Sequence, residues 1–270
     1  RASARGIDVR VLLEEKPYTP AAPGGGTNPS TQKTAAALET AGTTFTVTVQ
    51  AVSDRFLPVS ASTLSVAVLT GDPFDTEPAA AALSSGSASF SVRLRRAEPA
   101  PLSIQIWAAG SGSGVSGATV PVQPGALATL QLLFPGEAPA PGAPGGRSGI
   151  TDFQIAGVQF QATVRAVDAF ANLVSSVTDV AALRPVAGAS VTLPSPQALS
   201  AGSATLTGLV FLSTGVFTLS AADLSSAALA AGQGSPVSVF SLSLSSPSLT
   251  YALPDGAAVG TLGGNVTGGS

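Results

Sequence analysis

Side chains able to do chemistry are sparse in this chain of 270 residues. Oxygen ligands gather in two segments: Asp72, Asp75 and Glu77 in GDPFDTEP, and Asp168, Asn172 and Asp179 in DAFANLVSSVTD. Paired carboxylates can serve a glycosidase as acid and nucleophile, and hard oxygens can hold calcium. No D-x-[DN]-x-[DN]-G loop occurs. Asp, Asn and Pro in such stretches more simply fix turn geometry through side-chain-to-backbone bonds, so turns are the preferred reading for both segments. Calcium, on these six residues, is the one cofactor considered, and the expectation is no cofactor.

The remaining catalytic vocabulary is thin. The chain has no His and no Cys, which removes Ser-His-Asp and Cys-His arrangements and leaves zinc only carboxylates. A Ser-Lys pair needs Lys16 or Lys33, both in a long loop where desolvation would not lower a lysine pKa. The chain is therefore expected not to be an enzyme. Trp107, the only Trp, ends the alternating stretch SIQIWAAG. Ile104 and Ile106 share a face that excludes it, so either a bulge turns it inward or it lies at the surface as a contact for carbohydrate or protein. Arg93, Arg95 and Arg96 in SVRLRRAE read as the wet face and end of one strand, and Asn265-Val266-Thr267 matches a short glycosylation acceptor.

The elements that must position these residues come from a repeat. Ala41 to Ser60, AGTTFTVTVQAVSDRFLPVS, returns at Ala156 to Ser175 as AGVQFQATVRAVDAFANLVS, identical at nine positions without a gap. ALSSGSA at Ala82 to Ala88 returns as ALSAGSA at Ala198 to Ala204. Phe45, Val47, Val49 and Ala51 alternate with polar residues, as do Phe160, Ala162, Val164 and Ala166; period two is the mark of a sheet with one wet face. Similar stretches recur between Gly and Pro, and no segment sustains a helical period, Thr34 to Glu39 and Ala221 to Ala231 being the nearest. The fold class is all-β: two tandem sandwiches of about seven strands, residues 1–124 and 125–242, leaving a strand and tail at 243–270.

Glu14 to Ser30 and Pro135 to Gly149 are long Pro/Gly-rich loops within the repeat unit. They are expected at the surface, partly extended in polyproline form, and functional or mobile. Charged residues make up 10% of the chain and the net charge is −3, too weak a field for nucleic acid. No apolar run approaches the roughly 18 residues of a bilayer span, so no direct membrane insertion is expected. Met is absent, so a processed or excised chain is expected, with any signal peptide outside it.

VRAVDAFANLVSSVTD at Val164 to Asp179, followed by LPSPQALSAGSATLTGL at Leu193 to Leu209, resembles the bacterial immunoglobulin-like (Big/invasin-like) repeats of large secreted and cell-surface proteins. The loop residues Pro135, Gly136, Glu137, Pro141 and Gly142 match the long loop that precedes the AG-x-x-F strand of those repeats. The first copy departs where Ser53 and Pro58 replace Asp168 and Leu173. The resemblance implies an extracellular structural or adhesive module without cofactor.

Two functions follow as expectations. The first is a non-enzymatic subunit or segment of an extracellular bacterial filament, sheath or stalk. Its partners would be copies of itself or further repeats, joined head to tail where a strand from residue 243 onward either begins a further repeat or adds to a neighbour's sheet edge and inserts Leu249, Tyr251 and Leu253. The second is an adhesin or carbohydrate-binding module on a bacterial surface protein, in which Trp107 or the long loops contact a glycan or matrix ligand.

Overall fold

Alternation translates directly into strands. The computed structural model describes residues 8–12, 38–52, 57–97, 101–108, 116–186, 188–226, 229–243 and 265–267. Two units result, Arg1–Gly125 with Pro141–Ala143, and Ala126–Ala140 with Pro144–Ser270. The fold is all-β, and among the described residues the only helical feature is a 3-10 turn at Pro144–Gly146. Among them, no helix is long and apolar enough to cross a membrane.

The first unit contains β1 (Asp8–Leu12), β2 (Glu39–Thr40), β3 (Phe45–Val52), β4 (Ser65–Thr70), β5 (Ala81–Ala82), β6 (Ser87–Val92), β7 (Leu102–Ala108), β8 (Ser116–Val120) and β9 (Val122–Gln123). One sheet has the order β1-β3-β6 and the other β5-β4-β7-β8, while β2 pairs in parallel with β9. The second unit contains β10 (Thr129–Leu133), β11 (Glu137–Pro139), β12 (Arg147–Gly149), β13 (Gln154–Ile155), β14 (Phe160–Val167), β15 (Val180–Pro185), β16 (Val191–Thr192), β17 (Gln197–Ala198), β18 (Ser203–Phe211), β19 (Gly215–Phe217), β20 (Leu219–Asp223), β21 (Gly232–Gln233), β22 (Val237–Ser243) and β23 (Asn265–Thr267). One sheet runs β10-β14-β18-β16. In the other, β19 and β20 form one strand interrupted at Thr218, bonded to β22 and β21 on one side and to β15 on the other, with β13 parallel to β22. Each unit is an immunoglobulin-like sandwich.

The inward positions supply the core. β3 and β14 bury the same positions along their eight residues, the sites of Val47, Val49 and Ala51 in one and Ala162, Val164 and Ala166 in the other. In the second unit Leu130, Leu132, Leu206, Leu209, Phe211 and Leu219 close the interior. A ladder of rings, Phe134, Phe160, Phe211 and Phe217, crosses it with centroids 6.4, 5.5 and 5.1 Å apart. Each such pair adds about 0.5–1.5 kcal/mol beyond the area it buries. β14 and β18 slip register between Phe160 and Gln161, where Gly208 takes φ 96° and forms a bulge.

The short echo in the sequence is a turn used twice. Ser84 and Ser87 exchange both backbone bonds, as do Ser200 and Ser203. Their central pairs, Ser85-Gly86 and Ala201-Gly202, all have positive φ, which defines a type I′ hairpin. Gly is required at the second position for two reasons: its φ is +79° or +75°, and a Cβ would lie 2.3 Å from the Val59 carbonyl oxygen or 2.5 Å from that of Val174.

The Pro/Gly loop at 135–149 departs from expectation. It is a structured hairpin, β11 against β12, closed by the 3-10 turn. Side chains distant in sequence hold the loop down.

Candidate functional site

The acidic segment after β4 is a self-satisfied turn. The Asp72 carboxylate, buried at the strand exit, accepts from three backbone N–H groups: Phe74 at 3.0 Å through Oδ1, and Arg95 at 2.6 Å and Arg96 at 2.8 Å through Oδ2. Asp75 Oδ2 accepts from Thr70 Oγ1 at 2.7 Å, and Glu77 Oε1 accepts from the Thr70 N–H at 2.8 Å. Asp72 thus ties β4 to the segment that follows β6. Burial pushes the Asp75 carboxyl up, with Asp72 adding to the effect against the Thr70 bond, and burial likewise raises Glu77. A raised carboxyl favours the fold at low pH and ceases to do so as pH climbs through its folded value.

The second oxygen group divides. Asp168 Oδ1 accepts from the Phe170 and Asn172 N–H groups at 2.8 and 2.9 Å, and Oδ2 from Asn172 Nδ2 at 2.9 Å. Asp168 and Asn172 also exchange a backbone bond, and Ala171 takes φ 61° in the turn they seal. Asp179 is not part of it. Pairing of β15 with β20 brings Asp179 to Asp223 instead, a residue that sequence reasoning did not single out. Among the described residues, no three His, Cys, Asp or Glu side chains are grouped so as to hold a metal ion.

Glu137 is a further residue whose role the sequence did not disclose. Its side chain is 2% exposed. Oε2 accepts from the Phe134 N–H at 2.9 Å, while Oε1 accepts from Ser235 Oγ at 2.5 Å and faces Arg147 Nη1 at 3.4 Å. Arg147 also donates to Ser235 Oγ and to the Gln233 carbonyl. Gln131 Nε2 donates to the Gly146 carbonyl, and Arg165 orients Gln131 from the neighbouring strand. These bonds fasten the Pro/Gly loop to β10, β21 and the start of β22.

Trp107 faces outward. Leu102, Ile104 and Ile106 of β7 are buried, whereas Trp107 is 41% exposed, so no bulge turns it into the core. Ala67 stands opposite it on β4, and Leu69 stands opposite Gln105. On the other flank Gly117 is opposite Gln105 and Thr119 opposite Ser103. With Ser65, the described residues of this outer face present one indole among neutral side chains and include no ionisable one. Arg93, Arg95 and Arg96 follow the end of β6, where Arg93 Nε donates to the Gly42 carbonyl at 2.7 Å.

Leu249, Tyr251 and Leu253 lie outside the described residues. The described part of the tail, β23, pairs antiparallel with β22 of its own unit, Val266 opposite Leu242. The Asn265-Val266-Thr267 tripeptide is this strand.

No family model matches the chain, and no curated protein matches it. Among solved structures it is similar to the Yersinia pseudotuberculosis adhesin InvE, at 15% identity and a TM-score of 0.29 over 74% of this chain and 56% of that one. It is similar to the Escherichia coli adhesin FdeC, at 18% identity and a TM-score of 0.33 over 76% and 62%. A glycosyl hydrolase family 2 member from Bacteroides cellulosilyticus gives 12% identity and a TM-score of 0.30 over 73% of this chain, which spans 24% of that enzyme. The fold assignment rests on the ladders described above.

Proposed function

We propose that the chain is a non-enzymatic contact segment of a bacterial cell-surface protein, whose immunoglobulin-like sandwiches hold out a sheet face that binds a neutral glycan. Trp107 is the observation that carries this reading. An indole on a flat strand surface offers an apolar ring face to a sugar, and Gln105 beside it on the same outer face supplies amide donor and acceptor groups. Ala67, directly opposite the indole, adds little bulk beside it, and the absence of charge among the described residues of this face suits an uncharged ligand. The carboxylates that a glycosidase would use are instead engaged by backbone N–H groups at Asp72 and Asp168. The filament reading drew on strand donation by Leu249, Tyr251 and Leu253, which lie outside the described residues.

A glycan array followed by titration calorimetry tests the proposal. The chain should bind at least one neutral glycan saturably, and Trp107→Ala should weaken that binding about thirty-fold, the equivalent of the roughly 2 kcal/mol expected of an aromatic anchor. Removing a side chain from the wet face should leave thermal stability unchanged within about 0.5 kcal/mol. A chain that binds no glycan, or a Trp107→Ala variant that binds as well as its parent, sinks the idea.

A further inference from the structure

We infer that the Asp179 carboxyl donates its proton to the buried Asp223 side chain, clasping one end of the β15–β20 ladder while Asp179 is protonated and loosening it once Asp179 ionises. Asp223 ends β20 opposite Ala181, and Asp179 stands just before β15, so the pairing sets the two carboxyls diagonally across one end of the ladder. Asp223 is 9% exposed. Its Oδ1 accepts from the N–H groups of Ser225 at 2.7 Å and Ser226 at 3.2 Å. Its Oδ2 is buried without a donor. A buried acceptor in that state calls for a proton or a cation, and the carboxyl hydrogen-bonded to Asp223 is that of Asp179.

The proton belongs on Asp179, because two backbone N–H groups already hold Asp223 as an acceptor. Burial raises the Asp179 carboxyl above its ordinary value of 3.8, and the charge of Asp223 and the hydrogen bond to it raise it further. Among the described residues no other ionisable group acts comparably. Arg184 of β15 lies at the far end, opposite Ser220; Arg165 of β14 is turned to Gln131; Asp168 is enclosed in its own turn; and β10, β17, β18, β21 and β22 carry no ionisable side chain. A carboxyl raised on folding stabilises the fold fully below its unfolded value. The contribution is lost as pH rises through the folded one, so the window runs from 3.8 upward.

Asp179→Asn in the full chain supplies a permanent donor to Asp223 without a charge. Its unfolding midpoint should match the parent's at pH 3.5 and exceed it by a few degrees at pH 7.5. Carbon-13 NMR of the aspartate carboxyls gives a readout independent of stability. Asp179 should titrate above 3.8 in the parent and fall back toward that value in Asp223→Asn. A variant that shifts the midpoint equally at both pH values, or an Asp179 signal that Asp223→Asn leaves in place, overturns the inference. Millimolar calcium that moves both carboxyl signals at pH 7.5 would overturn it as well, by showing that a cation fills the position given to the proton.

Discussion

Replacing Glu137 with Ala should destabilise the second unit by about 3 kcal/mol, near the lower end of the 3–5 kcal/mol cost of removing one partner from a buried ion pair. The figure follows from what each partner can do afterwards. The Phe134 N–H loses the Glu137 carboxylate as its acceptor beside a buried ring, at a cost of about 1–3 kcal/mol for an unsatisfied donor. Arg147 is 23% exposed and keeps Ser235 Oγ and the Gln233 carbonyl, so water and these groups compensate it. That places the total low in the range. Glu137→Gln retains one acceptor oxygen and the side-chain shape, and should cost only about 1–2 kcal/mol. Urea unfolding can separate the units, because Trp107 is the only Trp and lies in the first. Its fluorescence follows the first unit, and the far-UV circular dichroism it leaves unexplained follows the second. With a slope near 2 kcal/mol per molar urea, the second midpoint should drop by about 1.5 M in Glu137→Ala. A loss below about 1 kcal/mol, or equal losses in Ala and Gln variants, would refute the assignment of Glu137 as the anchor of the loop.

Two further outcomes test the frame. Asp72→Ala strands the Phe74, Arg95 and Arg96 N–H groups and should destabilise the first unit by about 3 kcal/mol in the same urea experiment, with Asp72→Asn in between because one carbonyl oxygen remains. Gly86→Ala and Gly202→Ala should each weaken their own unit by more than the roughly 1–2 kcal/mol that the left-handed backbone alone costs an L-residue, since a carbonyl oxygen already occupies the space; equality with the parent in a thermal melt would contradict the type I′ assignment.

What the sequence disclosed, and what it hid, divides along the range of the interaction. Period-two alternation placed Phe45 to Ala51 and Phe160 to Ala166 correctly because burial on a strand depends only on parity, whereas for Trp107 parity left a bulge into the core and a surface position both open, and the exposed indole decides between them. Asx turns at Asp72 and Asp168 were legible because their bonds to Phe74, Phe170 and Asn172 are local. The loop at 135–149 was misread. Its Pro and Gly content speaks of local backbone freedom, whereas its order comes from Glu137, Arg147 and Gln131 reaching Ser235, Gln233 and Gly146. Asp179 was grouped with its sequence neighbour Asp168, but strand pairing took it to Asp223. No periodicity carries that information, since it depends on which strands become neighbours.

The equivalent positions of the two units separate what the sandwich requires from what has been added to it. The bridge between Val52 and Pro58 recurs between Val167 and Leu173, although Ser53 stands where the second turn has Asp168. The Val59 N–H donates to Ala51 and the Val174 N–H to Ala166, both at 2.9 Å. Main-chain bonds and buried aliphatic residues therefore carry the frame, and polar side chains can differ without changing it. Trp107 pairs with Ala67; at the same place in the second unit Ala222 pairs with Ala182. Asp223 pairs with Ala181, where the first unit has Ala108 opposite Val66. Each of these residues occurs in one unit and is replaced by alanine in the other. The shared ladder therefore requires neither the indole nor Asp223, just as the shared turn does not require the Asp168 carboxylate where Ser53 stands in the first unit.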